Sequence, residues 1–271
     1  MRAYSRLDPT CVLTHSTSAR ICSICLPGWL DQDWRIHIAR PADGWKPRRR
    51  NVVGHQLSFK PGEVVMSDGV RLTSPARTWL DLASLLSVDE LVAAGDSIVV
   101  EHGEEFPVPR QPLATITDLQ GIVGRHPGMR GVRKARLALD LIRVGADSAP
   151  ETMMRLALVR AGLPEPTLNV VLRNRIGQPV VWPDAAYPER RIALQYDGAH
   201  HGDSEQYRRD IKRQGVTESL GWRELRVQGS DLEGDRPFIV EKVRVALRGP
   251  SAAASDAQLA ANARKLRIWG H

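Results

Sequence analysis

Cysteine is scarce in this sequence: three residues among 271, all near one end, at Cys11, Cys22 and Cys25. An odd number with no spread along the chain excludes a disulfide framework. Cys22 and Cys25 form a C-x-x-C, but no second such pair follows and Leu26-Pro27 come directly after. The pair therefore reads as apolar helix residues rather than half a zinc site. No apolar run approaches the ~20 residues that span a bilayer. The beginning of the chain has no apolar signal core either, so the expected location is the cytoplasm, without a membrane partner. No internal repeat is visible.

What is present is an ordinary globular balance, with 42% hydrophobic and 25% charged residues, and a basic excess of +7. The sequence pI is near 9.7. An excess of this sign favours a polyanionic partner, although an arginine-rich soluble protein would show the same sum. The length suits one large domain or two ordinary ones.

Along the first part, a short strand is expected around Cys11–Thr14, followed by a helix. Trp34–Ile38 alternates, which predicts a half-buried strand with Trp34, Ile36 and Ile38 on one face and Arg35 and His37 on the other, wetter one. Arg40–Arg50 reads as a solvated basic loop. Further strands are expected at Val52–Leu57 and Glu63–Met66, with a turn at Ser67-Asp68-Gly69. Ser74-Pro75 is a helix start, with serine as cap and proline at the first helical position. Arg77 and Asp81 then form an i,i+4 pair. A helix follows at about Val88–Val99. Residues 103–113 look like a linker, and two helices come after, at about Ile116–Val123 and Arg130–Ile142.

From Ser148 the pattern becomes αβββαβα. A helix begins at Ser148–Glu151. Strands are expected at about Asn169–Arg173, Pro179–Ala186 and Arg191–Tyr196. A polar helix from about Ser204 to Leu220 precedes a strand at Glu224–Val227 and a helix at Pro237–Leu247. The turn Tyr187–Arg190 lets two strands pair as a hairpin, which would bring Asp184 of Trp182-Pro183-Asp184 near the end of Ile192–Gly198. Gln195 and Asp197 then share one strand face, and Glu151 could approach from the preceding helix. Hard oxygen ligands of this kind suit Mg²⁺ or Mn²⁺, which support phosphodiester hydrolysis. The bland readings are a strand-end acid for Asp184, a plain turn for Asp197-Gly198, loop histidines for His200 and His201, and a surface ion pair for Asp210 with Arg213.

The ordered set Pro183-Asp184, Gln195-Tyr196-Asp197-Gly198, His200-His201, Asp210, Arg213, Gly221-Trp222 and Leu225-Arg226-Val227 resembles the very-short-patch-repair-endonuclease-like domain of the PD-(D/E)XK nuclease class. The resemblance covers about residues 148–248. It implies a restriction-endonuclease-like αβββαβ domain with a mixed central sheet, and a metal-dependent DNA endonuclease. It implies Glu151, Asp184, Gln195 and Asp197 as metal ligands and Asp184, Gln195, Asp197 and His201 as catalytic residues. His200, Asp210, Arg213 and Arg226 would contact nucleic acid. The sequence departs from the class pattern in carrying Gln195 at the strand glutamate and Asp197 at the lysine. Either Asp197 replaces the lost carboxylate or the site is weakened. The alternative function is a non-catalytic nucleic-acid-binding or antitoxin-like regulator on a degenerate nuclease fold.

A second resemblance rests on Leu13–Ala19 and Gly69–Ala83, which look like the central region of abortive-infection-type antitoxins, at Thr73, Ser74, Arg77 and Asp81. It implies a toxin or other protein as partner, and no winged helix precedes it here. The resulting expectation is an α/β chain: an α+β domain at 1–102, a linker and helical connector at 103–147, the nuclease-like domain at 148–249 and a mobile tail at 250–271.

Overall fold

A computed structural model describes residues 10–40, 46–198 and 204–249. His200, His201, the tail from residue 250 and part of the Arg40–Arg50 loop lie outside the described residues. The chain is mixed α/β and divides into two compact units. The first comprises residues 1–101 and 110–149, the second 102–109 and 150–271. The segment expected as a connector is thus shared out, its helices belonging to the first unit.

In the first unit, strand β1 (Val12–Leu13) leads into helix α1 (His15–Ile21) and a short helix α2 (Gly28–Asp31). Strands β2 (Ile36–Arg40), β3 (Val52–Gln56), β4 (Val64–Ser67) and β5 (Val70–Thr73) complete a five-stranded sheet of order β3-β2-β1-β5-β4. It is a mixed sheet: β2 with β3 and β1 with β5 run parallel, the other pairs antiparallel. Leu13, Ile38, Val70 and Leu72 form an apolar cluster on this sheet, with Cys11 and Cys22 packed against it. The cysteines are thus used as small apolar groups, but α1 ends at Ile21, so Cys22 caps the helix and Cys25 lies beyond it.

Two sequence expectations are corrected here. Strand β2 starts at Ile36, and Trp34 stands outside it, 67% exposed. His37, expected on the wet face, is buried. Period-2 alternation assigns side chains to two faces but does not say that one is solvent, and α1 packs against β2. Strand β5 was not expected as a separate strand; its four residues directly precede the Ser74 cap.

Helices α3 (Pro75–Leu82), α4 (Val88–Val99), α5 (Ile116–Arg125) and α6 (Val132–Leu139) follow. Ser74 accepts from the Arg77 amide at the start of α3. Ser87 and Thr115 each form a capping box, with Glu90 and Asp118 respectively. Trp79 is fully buried and donates its indole N–H to the Leu91 carbonyl at 2.8 Å, so a large apolar body and its one polar atom are both satisfied.

In the second unit, helix α7 (Ala149–Arg160) precedes a two-stranded pair, β6 (Leu172–Arg173) and β7 (Pro179–Val181). Then come β8 (Ala185–Tyr187), β9 (Ile192–Asp197), helix α8 (Ser204–Ser219), β10 (Arg223–Gln228) and helix α9 (Phe238–Leu247). The sheet order is β10-β9-β8, with β8 antiparallel and β10 parallel to β9. The single strand expected at 179–186 is therefore two. Pro183 lacks an N–H and restricts Trp182 before it, so the chain changes pairing partner there, from β6 to β9.

The three-stranded sheet is strongly two-faced. Ile192, Leu194 and Val227 join Met154 and Leu158 of α7 and Ile239 and Val243 of α9 in one core. Each such side chain contributes roughly 1.5–3 kcal/mol by leaving water. The alternate positions Gln195, Asp197, Glu224 and Arg226 occupy the other face. No helix among the described residues is long and apolar enough to cross a membrane.

Candidate functional site

Because Ala185 pairs with Leu194, Asp184 stands beside Gln195, one step before β8 begins. Its carboxylate accepts from Gln195 Nε2 at 2.7 Å and from the Tyr196 amide at 2.6 Å. The carboxylate thus takes a strand N–H where β8 has not yet started to offer ladder carbonyls. Gln195 being neutral, it can donate to Asp184; a glutamate there would repel it.

Across the β9–β10 pair, Arg226 lies opposite Gln195. Its Nη1 is 3.9 Å from Asp197 and its Nε is 3.6 Å from Glu224. Glu224, whose side chain is 1% exposed, also receives Arg213 Nη2 at 3.3 Å and the Thr217 hydroxyl at 3.2 Å. Arg213 in turn donates to Asp210 at 3.0 Å. One polar face therefore carries a continuous series, Asp210–Arg213–Glu224–Arg226–Asp197, with Asp184 and Gln195 adjoining. Nε and Nη2 of Arg226 and Nε of Arg213 are buried without a hydrogen-bond partner among the described residues. A guanidinium with unspent donors beside a polar face is suited to an anion such as phosphate.

Of the residues singled out from the sequence, the structure brings together Asp184 with Gln195, and Asp197 with Arg226, Arg213 and Asp210. Glu151 comes from another element, α7. That residue is buried in the first turn of α7, whose Met154 and Leu158 pack on the apolar side of the sheet. Glu151, Asp184 and Asp197 do not form a group of acids with mutually close ligand atoms; among the described residues the group of that kind is His15, His37 and His55. The remaining donors, two carboxylates and an amide oxygen, are hard oxygens that match Mg²⁺ or Mn²⁺ in type. Glu224 and Thr217 went unnoticed in the sequence because Glu224 reads as an ordinary strand residue. The signal was its place two before Arg226 on the same face.

The first unit holds a second polar assembly. Arg77 and Asp81, one helical turn apart on α3, are paired at 2.9 Å, and Arg77 also binds Glu63, all three side chains nearly or wholly buried. Burial pushes the Asp81 carboxyl above its ordinary range, while Arg77 and the Thr14 hydroxyl oppose that rise. Burial acts to raise Glu63 as well, but His126, the Lys60 amide and Arg77 together hold it below the ordinary value. Ser18, Thr73 and Thr78 share short hydroxyl contacts beside them. Thr73, Arg77 and Asp81, singled out in the sequence, thus take part in a buried polar core.

No family model matches the chain, and no solved structure does. Two curated relatives are similar to it: the uncharacterized protein MT2308 of Mycobacterium tuberculosis strain CDC 1551/Oshkosh and the uncharacterized protein Rv2248 of strain H37Rv. Each is 28% identical over 191 residues, which are 69% of this chain and 64% of the relative. The chain thus spans less than two thirds of the length of these relatives.

Proposed function

We propose that the second unit is a restriction-endonuclease-like domain acting on nucleic acid, a metal-dependent phosphodiester hydrolase of weakened activity. The observation that carries the reading is the convergence of Asp184, Gln195 and Asp197 with Arg226 on one polar sheet face. Acids to hold a cation and a guanidinium with unspent donors are the two needs of a phosphodiester site. The order helix, hairpin, helix, parallel strand agrees with the resemblance drawn from the sequence, and the basic charge of the chain suits a polyanion.

Asp184, Asp197 and the Gln195 amide oxygen would hold the Mg²⁺ or Mn²⁺, which when bound polarises phosphate oxygens and lowers the pKa of water. Arg226 and Arg213 orient the phosphate through charge-assisted hydrogen bonds. Gln195 in place of a glutamate removes one negative charge from the donor set and so weakens cation binding.

A second reading is favoured by one detail, the donation of the Gln195 amide to Asp184. That bond stabilises the face without a cation and suits a regulator that binds nucleic acid without cleaving it. Plasmid nicking with Mg²⁺ or Mn²⁺ separates the two. Wild type should nick, and Asp184→Ala should be slower by more than about 100-fold, since loss of outer-shell partners alone costs 10–100-fold. Gln195→Glu should nick faster than wild type. Absence of nicking by wild type and Gln195→Glu alike, with salt-sensitive DNA binding that needs no metal, would establish the second reading instead.

A further inference from the structure

Three histidines far apart in the sequence meet in the first unit. His15 opens α1, His37 lies in β2 and His55 in β3. The parallel register pairs His37 with Val53 and Ala39 with His55, so the two strand histidines share one face as diagonal neighbours. The His15 ring stacks on His55 with centroids 4.0 Å apart and lies 5.4 Å from His37. One ring nitrogen from each histidine falls within 4.8 Å of the others, and His55 Nε2 is 3.1 Å from His37 Nδ1. His15 and His37 are each 4% exposed.

Hydrogen bonding fixes the form of His15. The Thr14 hydroxyl donates its one proton to Asp81 Oδ2 at 2.6 Å. It can then only accept from His15 Nδ1, 3.2 Å away, so His15 carries its proton on Nδ1 and presents a lone pair at Nε2. A side chain that receives the N–H of an imidazole, backed by a carboxylate, is the usual support of a metal-bound histidine. Here Arg77 and Asp81 supply that backing through Thr14.

The cluster also carries costs that a packing role does not explain. His15 has a φ of +48°, a left-handed conformation that for a histidine is uncommon and strained. His37 Nε2 is buried without a partner among the described residues, and an unmet buried polar atom is destabilising. Burial favours the neutral, ligating form of all three imidazoles: His37 and His55 are lowered to about 4, and His15 is lowered well below its ordinary value, with His55 and His37 adding to the effect of burial on His15. Apolar side chains would fill the same space without any of this.

We propose that His15, His37 and His55 form a zinc-type metal site, with Thr14 and the Asp81–Arg77 pair as its positioning shell. Zn–N bonds of about 2.0–2.1 Å in tetrahedral geometry place ligand nitrogens about 3.4 Å apart. The His37–His55 pair is already near that spacing, and His15 closes it by a small ring rotation. Three histidines leave a fourth position for water or a substrate atom. Asp81, linked to His15 through the Thr14 hydroxyl, places a carboxylate behind the site.

The test uses the full chain, stripped with a chelator, loaded with one equivalent of Zn²⁺ and examined by X-ray absorption. The expected result is a nitrogen/oxygen shell at about 2.0–2.1 Å with imidazole scattering and no sulfur at about 2.3 Å. In competition with a chromophoric chelator, His55→Gln should bind Zn²⁺ more than about tenfold more weakly, and Asp184→Ala should bind it as wild type does, which separates this site from the one in the second unit. Sulfur in the shell would move the metal to Cys22 and Cys25 and overturn the proposal. So would undiminished Zn²⁺ affinity in folded His55→Gln, or a folded wild type that holds no Zn²⁺ at micromolar concentration. If His55→Gln does not fold, the absorption spectrum of the wild type decides alone.

Discussion

A guanidinium almost wholly withdrawn from water needs its charge met on more than one side. Arg77 is met by Asp81 through Nε, and by Glu63 and the Ser58 carbonyl through Nη1. Half of this was legible in the sequence. Ser74 as cap and Arg77 with Asp81 at i,i+4 are local relations, and local relations survive folding. Glu63, fourteen residues earlier and just before β4, was not legible as a partner, because only the sheet topology carries it there. Arg77→Met should destabilise the first unit by about 3–5 kcal/mol, since it leaves the buried Asp81 carboxylate without its cation and Glu63 with only Arg125 and His126 on its other oxygen. Arg77→Lys should recover only part of that, because an ammonium cannot reproduce the fork. Urea unfolding measures both; equal stability of Arg77→Met and wild type would mean the pair contributes nothing. In the second unit the Asp184–Gln195 contact followed from a foreseen hairpin, whereas the burial of Asp210 and Arg213 against Glu224 did not. A pair three apart on a polar helix reads as a surface ion pair until the neighbouring strand is in place.

Among the elements, the helices were the most legible, since caps and a 3.6-residue period lie within one short window. Strands were less so. β5 was absorbed into the helix start that follows it, and the break at Pro183 was overlooked because the apolar run continues through it. That break matters to the candidate site, for it leaves Asp184 just outside β8 with its carboxylate turned onto the Tyr196 amide. A glycine defines another junction. Gly131, at the N-cap of α6, has a φ of +88°, and a Cβ added there would stand 2.4 Å from the Ala83 carbonyl oxygen at the end of α3. Both conformation and close approach exclude a side chain. Gly131→Ala should therefore cost about 1–3 kcal/mol or more, while Gly128→Ala, with nothing within 4 Å of the added carbon, should stay within about 0.5 kcal/mol. Thermal unfolding of the two variants side by side checks the contrast, and equal effects would rule out the close approach as the cause.

For the molecule as a whole, the histidine cluster couples stability to pH. The chain has eight histidines and a charge of +7 with all of them neutral. Three are held neutral in the folded state well below the pH at which they charge in the unfolded chain: His37 and His55 are lowered to about 4, and burial lowers His15 as well. Between about pH 6.5 and pH 4 the unfolded chain therefore binds more protons than the folded one, and stability rises with pH there. The contribution is complete above about pH 6.5 and is lost as the pH falls through that window. Each histidine can add at most about 1.4 kcal/mol per pH unit, less for the half-exposed His55, whose charge water partly screens. The sequence did not disclose this. His37 was assigned to a wet face, and His15, His37 and His55 lie in three elements whose meeting is a property of the sheet order alone. Calorimetry of the metal-free chain should show the transition that reports the first unit moving down by several degrees from pH 7 to pH 5, and His55→Gln should flatten that dependence. An unchanged transition temperature across this range would mean that the three imidazoles do not resist protonation in the folded chain.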